Sequence, residues 1–364
     1  MNRNGRIGGG SFAWLFVAAA AGMGAACGNP YGGSSTSSDS LHATIGPQGG
    51  QLVGAKGSAL DGVTVVIPAG ALASDTDIEI KPASDTSPLP SSAVRCGPQI
   101  EIGPVGTALA IPAQVTLPFD PELVAENNRF DDEVKVWVHE GDQWGQQTQV
   151  DSSPGHVTVE LSKLDLVGAG VNRPSEADEV HFDLHANPKF LNCLAQFPGD
   201  PKRAPSVDVT VVRGSLNDGL FLSGRNIKQG LKFDLFTLQN STLNASGAVD
   251  PSITSVGLAW YQSDLEANNG GRMRATIRTV LLDEIFGFDP LVGLTPTNTF
   301  HVGFWFDDPN DAAACGFNVA APTPFNGDHK AGPLAMISLP DATTGLGPLC
   351  TKPDTSTTPA HCAP

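Results

Sequence analysis

The chain is short of positive charge. It has 21 Lys and Arg against 38 Asp and Glu, a formal net charge of -17 at pH 7. A phosphate backbone would be repelled by such a surface, which excludes nucleic acid as a partner and electrostatic adhesion to anionic lipid. Methionine is scarce, at 4 residues, and no stretch sustains a helical period; "TVLLDEIFGF", starting at Thr279, is the best short helix candidate. With 41 Gly, 29 Pro and many Val and Thr, the composition points instead to short strands joined by turns. Catalytic signatures are missing as well. There is no G-x-S-x-G elbow, no H-E-x-x-H, no C-x-x-C and no phosphate-cradling G-x-x-x-x-G-K. Repeats of solenoid length are absent. The expectation is an all-β chain with two antiparallel β-sandwich-like domains and no catalytic residues.

What is present begins at the N-terminus. Arg3 and Arg6 precede "SFAWLFVAAAAGMGAA", which shrinks to small residues before Cys27. This is the layout of an export signal over residues 1–26. Its apolar core is too short for a comfortable membrane span. The run Gly24-Ala25-Ala26-Cys27 resembles the lipobox of bacterial lipoproteins, with Gly24 where Leu is commonest. The resemblance implies that Cys27 is acylated, with palmitate among its chains, and becomes the first residue. Two or three acyl chains anchor firmly, at about 0.8 kcal/mol per buried methylene. The plain alternative is secretion with Cys27 unlipidated. Loss of Arg3 and Arg6 takes the charge from -17 to -19. Residues 27–40, "CGNPYGGSSTSSDS", have little to bury and read as a flexible tether. Gly28 after the cysteine, rather than Asp, implies sorting to the outer membrane by the rules of that family. The expected location is therefore the bacterial cell envelope, with the membrane as a partner through the lipid.

Five cysteines remain. Cys193, Cys315, Cys350 and Cys362 make an even set in the second half, which suits two bridges in an oxidising compartment. Spacing alone does not fix the pairing. Cys350 with Cys362, as a staple on the tail, and Cys193 with Cys315 is the arrangement expected. Cys96 is left as a buried thiol.

Residues 41–171 alternate strand and turn. In "GVTVVIPAGAL", Val63, Val65 and Ile67 share a face, Pro68 ends the pairing and Ala69-Gly70 turns the chain. Ile78 and Ile80 repeat the device. Strands follow near 99–102 and 113–118, then Val134, Val136 and Val138 in one, and Val157, Val159 and Leu161 in another. Such spacing describes an antiparallel sandwich. The segments "GGQL", "GVTVVIPAGAL", "TDIEI" and "IEIGPVGTALAIPAQVTLPF", in that order, resemble the ZU-5 domain of ankyrins, netrin receptors and tight-junction scaffolds, which also occurs in bacterial lipoproteins. The resemblance implies a β-sandwich used for protein contacts, with no cofactor. Some relatives self-cleave beside a His-Phe-Ser motif. Here the matching stretch is "ELSKLDLVGAG", where Lys163 and Leu164 follow Ser162 with no adjacent histidine, so that activity is not carried over. His139 and His156 flank turns and read as solvated.

A linker at 172–178 leads to a second β-rich domain at 179–350 of no recognised family, and a tail at 351–364 that is disordered or tied by a disulfide. Aromatics gather there: Phe233, Phe236, Trp260, Tyr261, Phe286, Phe288, Phe304, Trp305 and Phe306. They read first as core. A second reading makes Trp260, Tyr261 and Trp305 a platform for stacking a sugar. In "VHFDLHA", His181, Asp183 and His185 share a strand face and are candidate ligands for a transition metal, with His301 or His329 as a fourth. In "DDPNDAA", Asp307, Asp308, Asn310 and Asp311 are candidate calcium ligands; a capped turn explains them equally well. The functional expectation is a lipid-anchored envelope protein acting as a non-enzymatic binding or structural module, with a protein or glycan partner. A carbohydrate-binding or carbohydrate-degrading lipoprotein and a periplasmic metal-binding protein are the alternatives.

Overall fold

The structure is a computed structural model that describes residues 40–83, 88–141, 143–147, 149–173, 179–214, 217–279, 300–324 and 330–363. Cys27, Phe286, Phe288, His329 and the helix candidate beyond Thr279 lie outside these residues. Among them, no helix is long and apolar enough to cross a membrane. The described residues pack as one compact unit.

The first half builds two facing sheets. One contains β1 (Leu41–Ile45), β4 (Thr76–Pro82), β5 (Ala93–Gly103), β11 (Leu166–Asn172), β7 (Lys135–Glu140) and β8 (Gln143–Gln147), in that spatial order. The other runs β2 (Gly50–Val53), β3 (Thr64–Ile67), β6 (Ala108–Pro118), β10 (His156–Lys163) and β9 (Gln149–Ser153). Every pairing is antiparallel. The alternating side chains meet between the sheets: Val63, Val65, Ile67, Ile78, Ile80, Val136, Val157 and Val159 are all at most 1% exposed. This is how a period-two pattern makes a sandwich core. Pro68 and Gly70 close their turn as expected, with the Ala71 N–H donating to the Pro68 carbonyl and Gly70 at a φ of 83°. Between β6 and β7, a short helix α1 (Pro121–Glu126) starts where Asp120 accepts from the Glu122 N–H at 2.9 Å.

The second half is one antiparallel sheet rather than two. Its order is β16 (Ala259–Glu266), β15 (Lys232–Leu238), β18 (His301–Phe306), β21 (Leu334–Ser338), β12 (Glu179–Ala186), β13 (Ser206–Val212), β14 (Asp218–Arg225) and β17 (Met273–Thr279). The two end strands, β16 and β17, are consecutive in the chain and joined by a tight turn in which the Gly271 N–H donates to the Asn268 carbonyl. The sheet therefore curls toward closure as a near-barrel. Its inside is filled by Phe233, Phe304, Phe306, Leu220, Val209 and Met336. A smaller cluster of Phe236, Leu238, Trp305, Leu334 and Ile337 covers part of the outside. Two-residue ribbons β19 (Thr323–Pro324) with β20 (Lys330–Ala331), and β22 (Pro353–Asp354) with β23 (His361–Cys362), complete the unit. A single-turn helix α2 (Leu191–Leu194) carries Cys193, which is bridged to Cys315. Cys350 is bridged to Cys362 and pins the tail ribbon. Cys96 is unbridged and buried, its thiol 3.7 Å from the Val94 carbonyl.

Candidate binding cleft between the two halves

Four strands of the second sheet place Glu179, Val212, Gly219 and Arg278 in one cross-strand row. Directly paired residues point to the same face, so this row is a single strip of surface. The loop after α1 meets it residue by residue. Asn128, in the left-handed region at a φ of 54°, reaches Glu179 with its amide at 3.5 Å. Phe130 packs on Phe221 with ring centroids 5.0 Å apart. Gly219 is required there, because a Cβ would stand 2.8 Å from the Phe130 ring. Asp132 takes both Nη groups of Arg278, one at 2.6 Å. The same guanidinium stacks 4.0 Å over Phe130. The Arg278 pair holds the Asp132 carboxyl below the usual carboxylate range. Four residues earlier on the same exposed face of β17, Arg274 meets Glu126 at 2.8 Å.

Beside this junction lies a cleft of ≈ 320 Å³. Arg129, Arg213 and Arg278 all line it, and among the described residues Glu133 is the acidic side chain of the lining. Arg129 is set by Nε donating to the Asn172 carbonyl at 2.8 Å and by Glu133 at 3.6 Å. Glu133 is itself engaged, accepting from the Phe130 N–H at 2.7 Å. Arg213 donates to the Thr351 hydroxyl at 3.2 Å. Nothing in the sequence pointed here. The three arginines are 84 and 65 positions apart along the chain, and only the docking of α1's exit loop brings Arg129 to the other two.

The residues singled out in the sequence lie elsewhere. His181, Asp183 and His185 do share the exposed face of β12, while Leu184 is buried. Both ring nitrogens of His181 are occupied, by Glu179 at 3.1 Å and Thr210 at 3.0 Å. Among the described residues, no three His, Cys, Asp or Glu side chains are grouped to hold a metal ion. His301 is not a further ligand for that face. It is 2% exposed, with Nδ1 held by the Ser338 hydroxyl at 2.9 Å. Asp308 caps the turn Pro309–Cys315, accepting from the Asn310 N–H and side-chain amide at 2.8 Å each. That turn delivers Cys315 to its bridge. Burial, reinforced by Asp308, raises the Asp311 carboxyl above its usual value.

The aromatic platform needs correction. Trp305 is 7% exposed and packs edge-to-face on Phe236, inside the outer cluster. Tyr261 is 55% exposed, meets the same Phe236 edge-to-face and donates to Asp264 at 2.7 Å. Trp260 is half-buried, and its ring nitrogen is buried with no hydrogen-bond partner among the described residues. The three do not form one exposed surface, because alternation along β16 and the cover over β18 turn them to different surroundings.

No curated protein matches the chain. Residues 41–135 match the family model of the ZU5 domain, the family that the segments of the first sandwich resemble.

Proposed function

We propose that this chain is a lipid-anchored envelope protein that works as a non-enzymatic contact module. The observation that carries this reading is the ZU5 match over residues 41–135, on a two-sheet sandwich, in a family that mediates protein contacts. The second, near-barrel half is fixed to that sandwich through the Phe130 and Arg278 junction, so both present one continuous surface to a partner. The anchor rests on the sequence. Cys27 follows Gly24-Ala25-Ala26 and precedes a Gly- and Ser-rich tether that would lift the folded unit from the bilayer. Gly28 favours the outer membrane. The two disulfides accord with an oxidising compartment outside the cytosol.

The test is fractionation of cells expressing the full chain and its Cys27→Ser variant. The wild type is expected in the detergent-extracted membrane, with Cys27 acylated by mass spectrometry. The variant is expected in the soluble fraction. Identical fractionation of the two would defeat the anchor.

A further inference from the structure

We infer that the cleft between the two halves binds a carboxylate side chain of a protein partner; this rests on the reading of the chain as a contact module. The first ground is a local concentration of cationic side chains. The protein carries -17 overall, yet three arginines line the cleft; among the described residues Asp132 pairs with Arg278, and Glu133 faces Arg129 while already accepting from the Phe130 N–H. An acidic segment is repelled by most of this surface and attracted here, which gives selectivity of place as well as affinity.

The second ground is preparation. A guanidinium has five N–H donors in a planar fork that matches a carboxylate. Arg129 is mostly withdrawn from solvent, with its side chain 15% exposed. Its Nε is used by Asn172, and its Nη1 faces Glu133. Its remaining donors meet no acceptor among the described residues. Arg278 is locked by Asp132 and by the Phe130 ring beneath it. These second contacts fix the arginines before a ligand arrives, so less side-chain entropy is lost on binding. Phe130 and Phe221 add an apolar wall for the methylenes of an acidic side chain.

The third ground is that both halves line the cleft: Arg129 comes from the sandwich, Arg213 and Arg278 from the near-barrel, Arg278 with both Nη groups already given to Asp132. A carboxylate seated there bridges the halves. Binding would then stabilise their docking by mass action.

The experiment is calorimetric titration of the full chain with a blocked peptide of alternating Gly and Glu, with its Gln counterpart, and with inorganic phosphate. The Glu peptide is expected to bind in low salt and to weaken as the Debye length shortens. The Gln peptide is expected not to bind. Arg213→Gln, an exposed position, is expected to weaken binding about tenfold with an unchanged melting temperature, and Arg129→Gln by at least as much. The inference is overturned if the Glu peptide fails to bind, if phosphate binds and the peptide does not, or if both variants bind it like wild type. Any of these results leaves the fractionation test untouched, so the two readings fail separately.

Discussion

His301 is a base kept neutral by its surroundings. Its ring is 2% exposed, between the Ser338 hydroxyl and the packed end of β18. Burial pushes its pKa down from 6.5 to about 4, against a smaller opposing effect of the Ser338 carbonyl. The unfolded chain therefore takes a proton at a higher pH than the folded one. Stability from this residue is whole above pH 6.5 and is lost as pH falls through 6.5 toward 4. At about 1.4 kcal/mol per pH unit, the loss between pH 7 and pH 4.5 is about 2 kcal/mol. Urea unfolding of the wild type and His301→Gln at both pH values checks this. Other groups titrate in both proteins, so the difference between them isolates His301. An equal loss in the variant would refute the assignment. Cys96 makes a simpler claim at the same scale. Being buried and unbridged, it should resist alkylation in the native protein and react once the chain unfolds, as read by peptide mass spectrometry.

Elements are where the sequence was most and least readable. Strands with one wet face show themselves: β3, β4 and β10 bury alternate residues, and their valines and isoleucines stood out at period two. Strands covered on both faces do not. β18 is buried at every position, because Phe304 and Phe306 face the barrel interior while Trp305 lies under Phe236 and its neighbours. Alternation cannot tell two interiors apart, and for that reason a surface platform stayed open as a second reading of Trp305 beside the core reading that its burial bears out. β5 likewise runs eleven residues with near-continuous burial, of which only 99–102 was evident. The single curled sheet of the second half was also hidden, since curling depends on which strands become neighbours. The disulfides were legible through parity, and they differ in expected effect. Cys193–Cys315 spans 122 residues and Cys350–Cys362 spans 12. Loop-closure entropy then assigns about 5 kcal/mol to the first and about 3 kcal/mol to the second. Guanidinium melts of the Cys193→Ala, Cys315→Ala pair and of the Cys350→Ala, Cys362→Ala pair should show the larger loss for the first. The reverse order would mean that the denatured chain, rather than ring size, dominates.

At the scale of the whole molecule, the question is how two cores become one compact unit. The first core runs from Ile45 to Val171 and the second from Leu184 to Leu349, with no buried residue in common. Each half is therefore expected to fold alone. Among the described residues, the side-chain contacts that join them include Phe130 on Phe221, Arg278 over Phe130, Asn128 on Glu179, and the ion pairs of Asp132 and Glu126. The ion pairs are substantially exposed, so each contributes at most about 1 kcal/mol. Phe130 is the contact that excludes water, and the glycine opposite it shows that the sheet is shaped to receive a ring. Phe130→Ala removes that contact while leaving both cores intact, at a cost of about 1–3 kcal/mol to docking. The wild type is expected to unfold in one calorimetric transition. The variant is expected to separate into two, with the value for the sandwich matching that of residues 40–173 expressed alone. Proton NMR dispersion of that fragment checks its folding. A disordered fragment would show that the sandwich depends on its neighbour. A single unchanged transition in Phe130→Ala would show that the halves are held by something other than this ring.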